Sequence, residues 1–185
     1  MIIFLGDSIF EWWDQNIFNT FFSKFNPINF GKAGYTTKNV IEFLELTGFH
    51  SLKPDVIILL IGTNNSDHNY TTSQTFDEIT KIIDLLSKLS PKSEIIILGI
   101  LPRGSVPSDR KRILNEHINK MIENANFSKS VHYANVGYLF TDNDGIIPQD
   151  IMYDGLHLTQ KAYYLLSEEL SGFISTIFPS SKTTA

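Results

Sequence analysis

Ser8 stands in the triplet Gly6-Asp7-Ser8, and Asp154 and His157 stand three apart in the segment YDGLH, residues 153–157. A hydroxyl, an imidazole and a carboxylate are the groups that perform acyl transfer: the ring takes the hydroxyl proton, and the carboxylate holds the ring in the right tautomer. A spacing of three lets the Asp154 carboxylate reach His157 Nδ1. The same chemistry needs donors for an oxyanion. Gly34, in GKAGYTT (31–37), can bring its backbone N–H close to a ligand because no Cβ intervenes, and Asn64, in GTNNSDHNY (62–70), can donate from its side-chain amide. Each residue also has a plainer role: Ser8 as a helix N-cap after a strand-to-helix turn, Gly34 and Asn64 as turn formers. Their occurrence together, on four loops in this order, favours the catalytic reading.

Those loops must be held by something, and the chain supplies a regular alternation. IIFLG (2–6), DVIILLIG (55–62) and EIIILGI (94–100) are continuous aliphatic runs without a polar face, as expected of parallel strands covered on both sides. INF near Ile28 and VHYANV near His132 are weaker strands. Between and after the strands lie helical patterns. TTKNVIEFLELTGF opens on a capping Thr36 or Thr37, and TSQTFDEITKIIDLLSKLSP stops at Pro91. SDRKRILNEHINKMIENANF places Ile113, Leu114, Ile118, Met121 and Ile122 at helical spacing, and TQKAYYLLSEELSGFISTIF closes the series. Five strands and five helices predict a three-layer α/β/α fold on a five-stranded parallel sheet in flavodoxin-like order 2-1-3-4-5. In such a sheet the four loops lie at the carboxyl ends of the strands and meet in space. One domain is expected over residues 1–178, with PSSKTTA (179–185) as a flexible tail.

Composition narrows the partners. The 185 residues carry a net charge of −5 and no dense run of Lys or Arg, which disfavours nucleic acid and anionic membrane surfaces. With no cysteine there is no disulfide framework, thiolate metal site or Cys nucleophile. No apolar run approaches a membrane span, and the first strand begins by Ile2, which leaves no room for a signal segment. A cytoplasmic protein is the expectation as the sequence stands; removal of an export signal would leave the same sequence. Of the five histidines, His50, His68, His117 and His132 have structural or surface settings, and only His157 has a partner at catalytic spacing. A metal site would have to combine Asp154, His157, Asp67 and His68, and the usual three-ligand zinc patterns are missing, so neither metal nor other cofactor is expected.

The blocks GDS, NFGKAG, GTNN and DGLH, in that order, resemble those of the SGNH, or GDSL-type, hydrolases. NFGKAGYTTKNV, ILGILPRG and YDGLHLT look especially like the branch that holds the catalytic subunits of intracellular platelet-activating-factor acetylhydrolase and their bacterial relatives. The resemblance spans residues 2–174. It implies a Ser-His-Asp esterase acting on a small-molecule, short-chain ester, with an oxyanion hole made by the Ser8 and Gly34 N–H groups and the Asn64 side chain. It also implies a homodimer as an oligomeric state to expect. Three positions depart from the pattern: Ile9 where the family name has Leu, Tyr35 where an Asp often follows the glycine, and Asn65 where GxND has Asp. None removes a catalytic atom.

Ile9, Tyr35 and Leu156 are candidates to wall a small acyl pocket, with Trp12 as a further one, although IFEWW can equally bury an apolar helix face, the role expected of Trp12 and Trp13. Arg103, in LPRG, is a candidate to meet the alcohol portion of the substrate or to tie one loop to another. A carbohydrate O-acetylesterase or a lysophospholipase would use the same groups on the same scaffold. The rival of another class is a flavodoxin-like phosphate or FMN binder, whose first loop would cradle phosphate; here that loop supplies Ser8 and then a bulky run.

Overall fold

Parallel strands need cover on both faces, and the computed structural model of the chain, which describes residues 1–178, shows how that cover is divided. The strands β1 (Ile2–Gly6), β2 (Pro27–Gly31), β3 (Val56–Leu60), β4 (Glu94–Leu98) and β5 (Val131–Ala134) form one parallel sheet in the order β2-β1-β3-β4-β5. This is the order that the sequence predicts. In the register, Ile2 lies opposite both Pro27 and Val56, and Val56 opposite Glu94.

Alternate residues along each strand enter opposite cores. Ile2, Phe4, Val56, Ile58, Ile96 and Leu98 face one, and Ile3, Leu5, Ile57, Leu59, Ile95 and Ile97 the other. Both sets are apolar, which is why the runs read as unbroken. The first core is closed by α1 (Ser8–Glu11), α2 (Gln15–Phe22) and α6 (Gln160–Ile177), the second by α3 (Thr37–Leu46), α4 (Thr72–Leu89) and α5 (Arg110–Glu123). Phe4 in β1 meets Phe10, Trp13, Phe18 and Phe22 edge-on, with centroids 4.9 to 5.7 Å apart. Such pairs contribute about 0.5–1.5 kcal/mol each beyond area burial. They fix α1, whose first residue is Ser8, and α2 against β1.

Three sequence expectations are corrected. Among the described residues the α-helices number six, because the segment after β1 breaks at Asp14, whose Oδ1 accepts from the N–H groups of Asn16 (2.9 Å) and Ile17 (3.1 Å) and starts a second helix. The strands end at Leu60 and Leu98, short of the apolar runs. Beyond β4, the Ile100 N–H and C=O are bonded to the Asn119 side chain at 2.8 and 2.9 Å instead of to a strand. The buried stripe of α5 is also rotated: Arg112, Asn115, Ile118, Asn119 and Ile122 face inward while Ile113 is exposed. Polar residues occupy that stripe because the backbone leaving the sheet needs partners there. Asn115 Nδ2 lies 3.3 Å from the Leu101 carbonyl it donates to, and Arg112 donates to the Gly145 carbonyl at 2.6 Å.

Among the described residues no helix is long and apolar enough to cross a membrane. The tail read as flexible, 179–185, lies outside the described residues.

Candidate active site

Strand order reverses between β1 and β3, and open parallel sheets carry their sites beyond the carboxyl ends of the strands at such a point. The first residues there come from the turn after β1. Asp7, not Ser8, is the helix cap: its Oδ1 accepts from the Ile9 N–H at 3.0 Å, which leaves Ser8 as the first residue of α1, 4% exposed. The end of β2 runs against this short helix so closely that a Cβ at Gly31 would stand 2.3 Å from the Glu11 nitrogen. Asn29 ties the two together, donating to the Phe10 carbonyl at 2.7 Å and accepting from the Gly31 N–H at 2.8 Å.

Asp154 and His157 lie in the turn that precedes α6, a loop as the sequence predicts. An isolated antiparallel bridge between the buried residues Met152 and Leu158 closes this turn. The Gly104 N–H, in the loop after β4, donates to the Gly155 carbonyl at 2.7 Å and props it from outside. Within the turn Asp154 Oδ1 accepts from the N–H groups of Leu156 (2.9 Å) and His157 (2.7 Å), so the carboxylate shapes the loop it serves. Its Oδ2 stands 2.6 Å from His157 Nδ1, and His157 Nε2 stands 3.1 Å from Ser8 Oγ. With the carboxylate at Nδ1, the neutral ring keeps its proton there and leaves Nε2 to accept from the hydroxyl. Partial burial raises the Asp154 carboxyl, but the hydrogen bonds from His157 and Leu156 outweigh it and hold the group below its ordinary value, ionised beside the imidazole.

The other expected donors come from the neighbouring loops. Gly34 has φ of +77°, and a Cβ there would meet no atom within 4 Å, so its backbone faces open space in a conformation that suits glycine. Asn64 sits in the 3₁₀ turn Thr63–His68 and donates one amide hydrogen to the Tyr35 carbonyl at 3.0 Å. That bond joins the β3 loop to the residue after Gly34 and leaves the second amide hydrogen for a ligand. Asn65 is structural: it is 1% exposed, accepts from the Thr37 N–H at 3.1 Å, and donates to the hydroxyls of Thr37 (2.6 Å) and Thr75 (3.2 Å).

Sequence reasoning missed Glu11. Its carboxylate accepts from the Ala33 N–H at 2.7 Å and from Lys32 Nζ at 3.2 Å, joining the helix of Ser8 to the loop of Gly34. An acid within the apolar run IFEWW was the only signal for it.

Arg103 makes the loop-to-loop tie, donating to the Thr63 carbonyl and to Asp67 Oδ2, both at 3.0 Å. Asp67, which a metal reading would need, also pairs with Lys111. Ile9 and Leu156 line a void of about 10 Å³ with Asp7, Leu60, Thr63, Ile100 and Leu101, while Tyr35 packs against the core on the α3 side. Trp13 is buried as expected and donates to Ser167 Oγ at 3.2 Å. Trp12 is not a core residue: it is 49% exposed and lies against the His157 ring, centroids 4.2 Å apart. Adjacent positions at a helix end point about 100° apart, so one tryptophan turns inward and the other outward.

Residues 4–165 match the GDSL-like Lipase/Acylhydrolase family. The chain is 32% identical over 166 residues to platelet-activating factor acetylhydrolase IB subunit alpha1 of Rattus norvegicus, covering 88% of this chain and 69% of that one. It is 34% identical over 179 residues to the alpha2 subunit of Homo sapiens, covering 94% and 75%. A GDSL-like lipase from Bacteroides thetaiotaomicron shares the fold, with a TM-score of 0.73 at 21% identity, covering 95% of this chain and 87% of that one. The matched span takes in every residue of the Ser8, Gly34, Asn64 and Asp154–His157 loops, and this chain belongs to the GDSL-like lipase/acylhydrolase family.

Proposed function

We propose that the chain is a serine esterase that cleaves short-chain, acetyl-type carboxylic esters through an acyl-enzyme at Ser8. The observation that carries this reading is the unbroken relay from Ser8 Oγ to His157 Nε2 (3.1 Å) and from His157 Nδ1 to Asp154 (2.6 Å). His157 takes the Ser8 proton as the oxygen attacks the ester carbonyl. The carbonyl oxygen becomes an oxyanion that accepts from the Ser8 and Gly34 N–H groups and the free Asn64 amide hydrogen. Collapse of the tetrahedral intermediate breaks the bond to the alkoxy oxygen, which takes its proton from His157. Water, deprotonated by the same ring, then releases the acid and restores the Ser8 hydroxyl.

One thing supports a short acyl group: the relatives named above are acetylhydrolases by name. Phosphate or flavin binding at the β1 loop is disfavoured, because an Asp7 side-chain oxygen already occupies the Ile9 N–H that would greet an anion there.

Initial rates on the p-nitrophenyl esters of acetate, butyrate, octanoate and palmitate test the reading. Acetate should dominate, and Ser8→Ala and His157→Ala should each lower kcat on the order of 10⁴-fold or more, leaving the small residual rate that the oxyanion donors alone sustain. Turnover near the wild-type rate after Ser8→Ala would end the proposal, and a palmitate preference would end its acyl-length half.

A further inference from the structure

Protonation of the departing alcohol fixes where that alcohol must sit, and two aromatic rings already stand there. If Ser8 is the nucleophile, as proposed above, the leaving oxygen comes within hydrogen-bond reach of His157 Nε2, so the skeleton attached to it begins beside the imidazole. The Trp12 indole packs on that imidazole with centroids 4.2 Å apart and planes tilted by 41°. The Tyr153 ring lies nearly parallel to it, at 25° and 6.2 Å. The two rings come from different elements, Trp12 from the end of α1 and Tyr153 from the turn of Asp154. Both leave wide faces to solvent, being 49% and 59% exposed, although the next tryptophan along the chain is 2% exposed. Two large, half-exposed rings thus lie against the imidazole that must reach the leaving oxygen, and they offer flat apolar faces to whatever that oxygen carries.

Charge narrows what that oxygen can carry. The acids on and beside these segments are Asp7, Glu11, Asp14, Asp150 and Asp154. Asp7 caps α1, Glu11 holds Lys32 and the Ala33 N–H, Asp14 caps α2 and accepts from Gln160 at 3.1 Å, Asp150 pairs with Lys161, and Asp154 holds His157. A phosphate or carboxylate on the alcohol would meet more carboxyl groups than lysines there, whereas a neutral ring would meet only the flat faces. We infer that Trp12 and Tyr153 form the alcohol subsite of this active site, which holds by stacking an uncharged alcohol built on a ring. The C–H face of a sugar and the π face of an aryl group offer the same chemistry. The inference rests on the esterase reading of Ser8 and His157.

The test compares kcat/KM for vinyl acetate, whose alcohol has no ring, with that for phenyl acetate and for a fully acetylated methyl xylopyranoside. Trp12→Ala should lose about tenfold more on a ring ester than on vinyl acetate, Tyr153→Ala several-fold more, and Trp12→Phe should recover most of the difference. The ratio between esters within one variant is independent of how much of it is folded. The ring ester with the larger ratio identifies the source of the alcohol. Losses that agree across the three esters within about threefold, including no loss at all, would overturn the subsite; Trp12 would then act only through the position of His157. Ser8→Ala, run alongside, separates the two failures: turnover near the wild-type rate would overturn the acyl-enzyme and the subsite with it, whereas Ser8-dependent turnover with parallel losses would overturn the subsite alone.

Discussion

Asp154 serves the imidazole with one oxygen and its own loop with the other, so two substitutions there should fail in different ways. Asn in its place keeps a carbonyl for the Leu156 and His157 N–H groups but presents an amide, a donor, where Nδ1–H needs an acceptor. Asp154→Asn should therefore keep the turn between Met152 and Leu158 and lower kcat on p-nitrophenyl acetate by about 10³- to 10⁴-fold through the wrong tautomer. Asp154→Ala should lose the turn as well, which hydrogen exchange at the Leu156 and His157 amides would show as faster exchange than in Asp154→Asn. Equal exchange in the two variants would mean that the bridge alone holds the loop. At this scale the sequence was legible where spacing carried the geometry, as at Asp154 and His157. It was not legible at Trp12 and Trp13, two identical side chains whose opposite fates depend on which way a four-residue helix is turned.

A helix and a loop meet at Glu11, and there the element, more than the residue, is at stake. Gly34 presents its N–H from a segment with φ of +77°, and the neighbouring Ala33 N–H is fixed to the Glu11 carboxylate at 2.7 Å. Bonding to the Ala33 N–H, followed by pairing with Lys32, holds that carboxyl below its ordinary value, so it stays ionised in that contact. If Gly34 is an oxyanion donor, as proposed, Glu11→Ala should free the loop and lower kcat roughly tenfold with little change in KM, because the loss then falls on a donor that acts in the transition state. Glu11→Gln, which keeps an oxygen for the Ala33 N–H, should retain most of the rate. A drop confined to KM would place Glu11 in ground-state binding instead. The loop was legible as a site in GKAG, but its brace was not, because Glu11 and Ala33 lie 22 residues apart and only the packing of β2 on α1 makes them neighbours. The face of α5 escaped for a related reason. Helical periodicity ranks residues by apolarity, and the side chains that this helix turns inward are the ones that bond the backbone leaving β4.

For the whole molecule, the unbroken runs at Ile2, Val56 and Glu94 made the sheet and its order readable, since a strand apolar on both faces has few other places to go. What that burial does to a charge was not readable, and it sets a dependence of stability on pH. Asp7 sits at the end of β1 with 1% of its surface exposed, and burial pushes its carboxyl up from 3.8 to about 7, against the pull of the Ile9 N–H and of Arg103. A carboxyl raised on folding holds its proton in the folded chain while the unfolded chain has released it. Its contribution is therefore complete below pH 3.8 and is lost as pH rises through about 7. At about 1.4 kcal/mol for each pH unit, the loss between those limits approaches 4 kcal/mol. Asp154 and Asp67, both held below their ordinary values, act in the opposite sense, but only under acid conditions below that window. Asp7→Asn keeps an acceptor for the Ile9 N–H and cannot ionise. Urea unfolding at pH 5 and pH 8 should show wild type losing more stability between the two than Asp7→Asn, by a few kcal/mol, with the variant the more stable chain at pH 8. Parallel pH profiles for the two would mean that Asp7 stays ionised in its buried site. The carboxyl beside the nucleophile would then be a fixed charge facing the oxyanion, and its neutralisation should raise the esterase rate at every pH instead of only above 7.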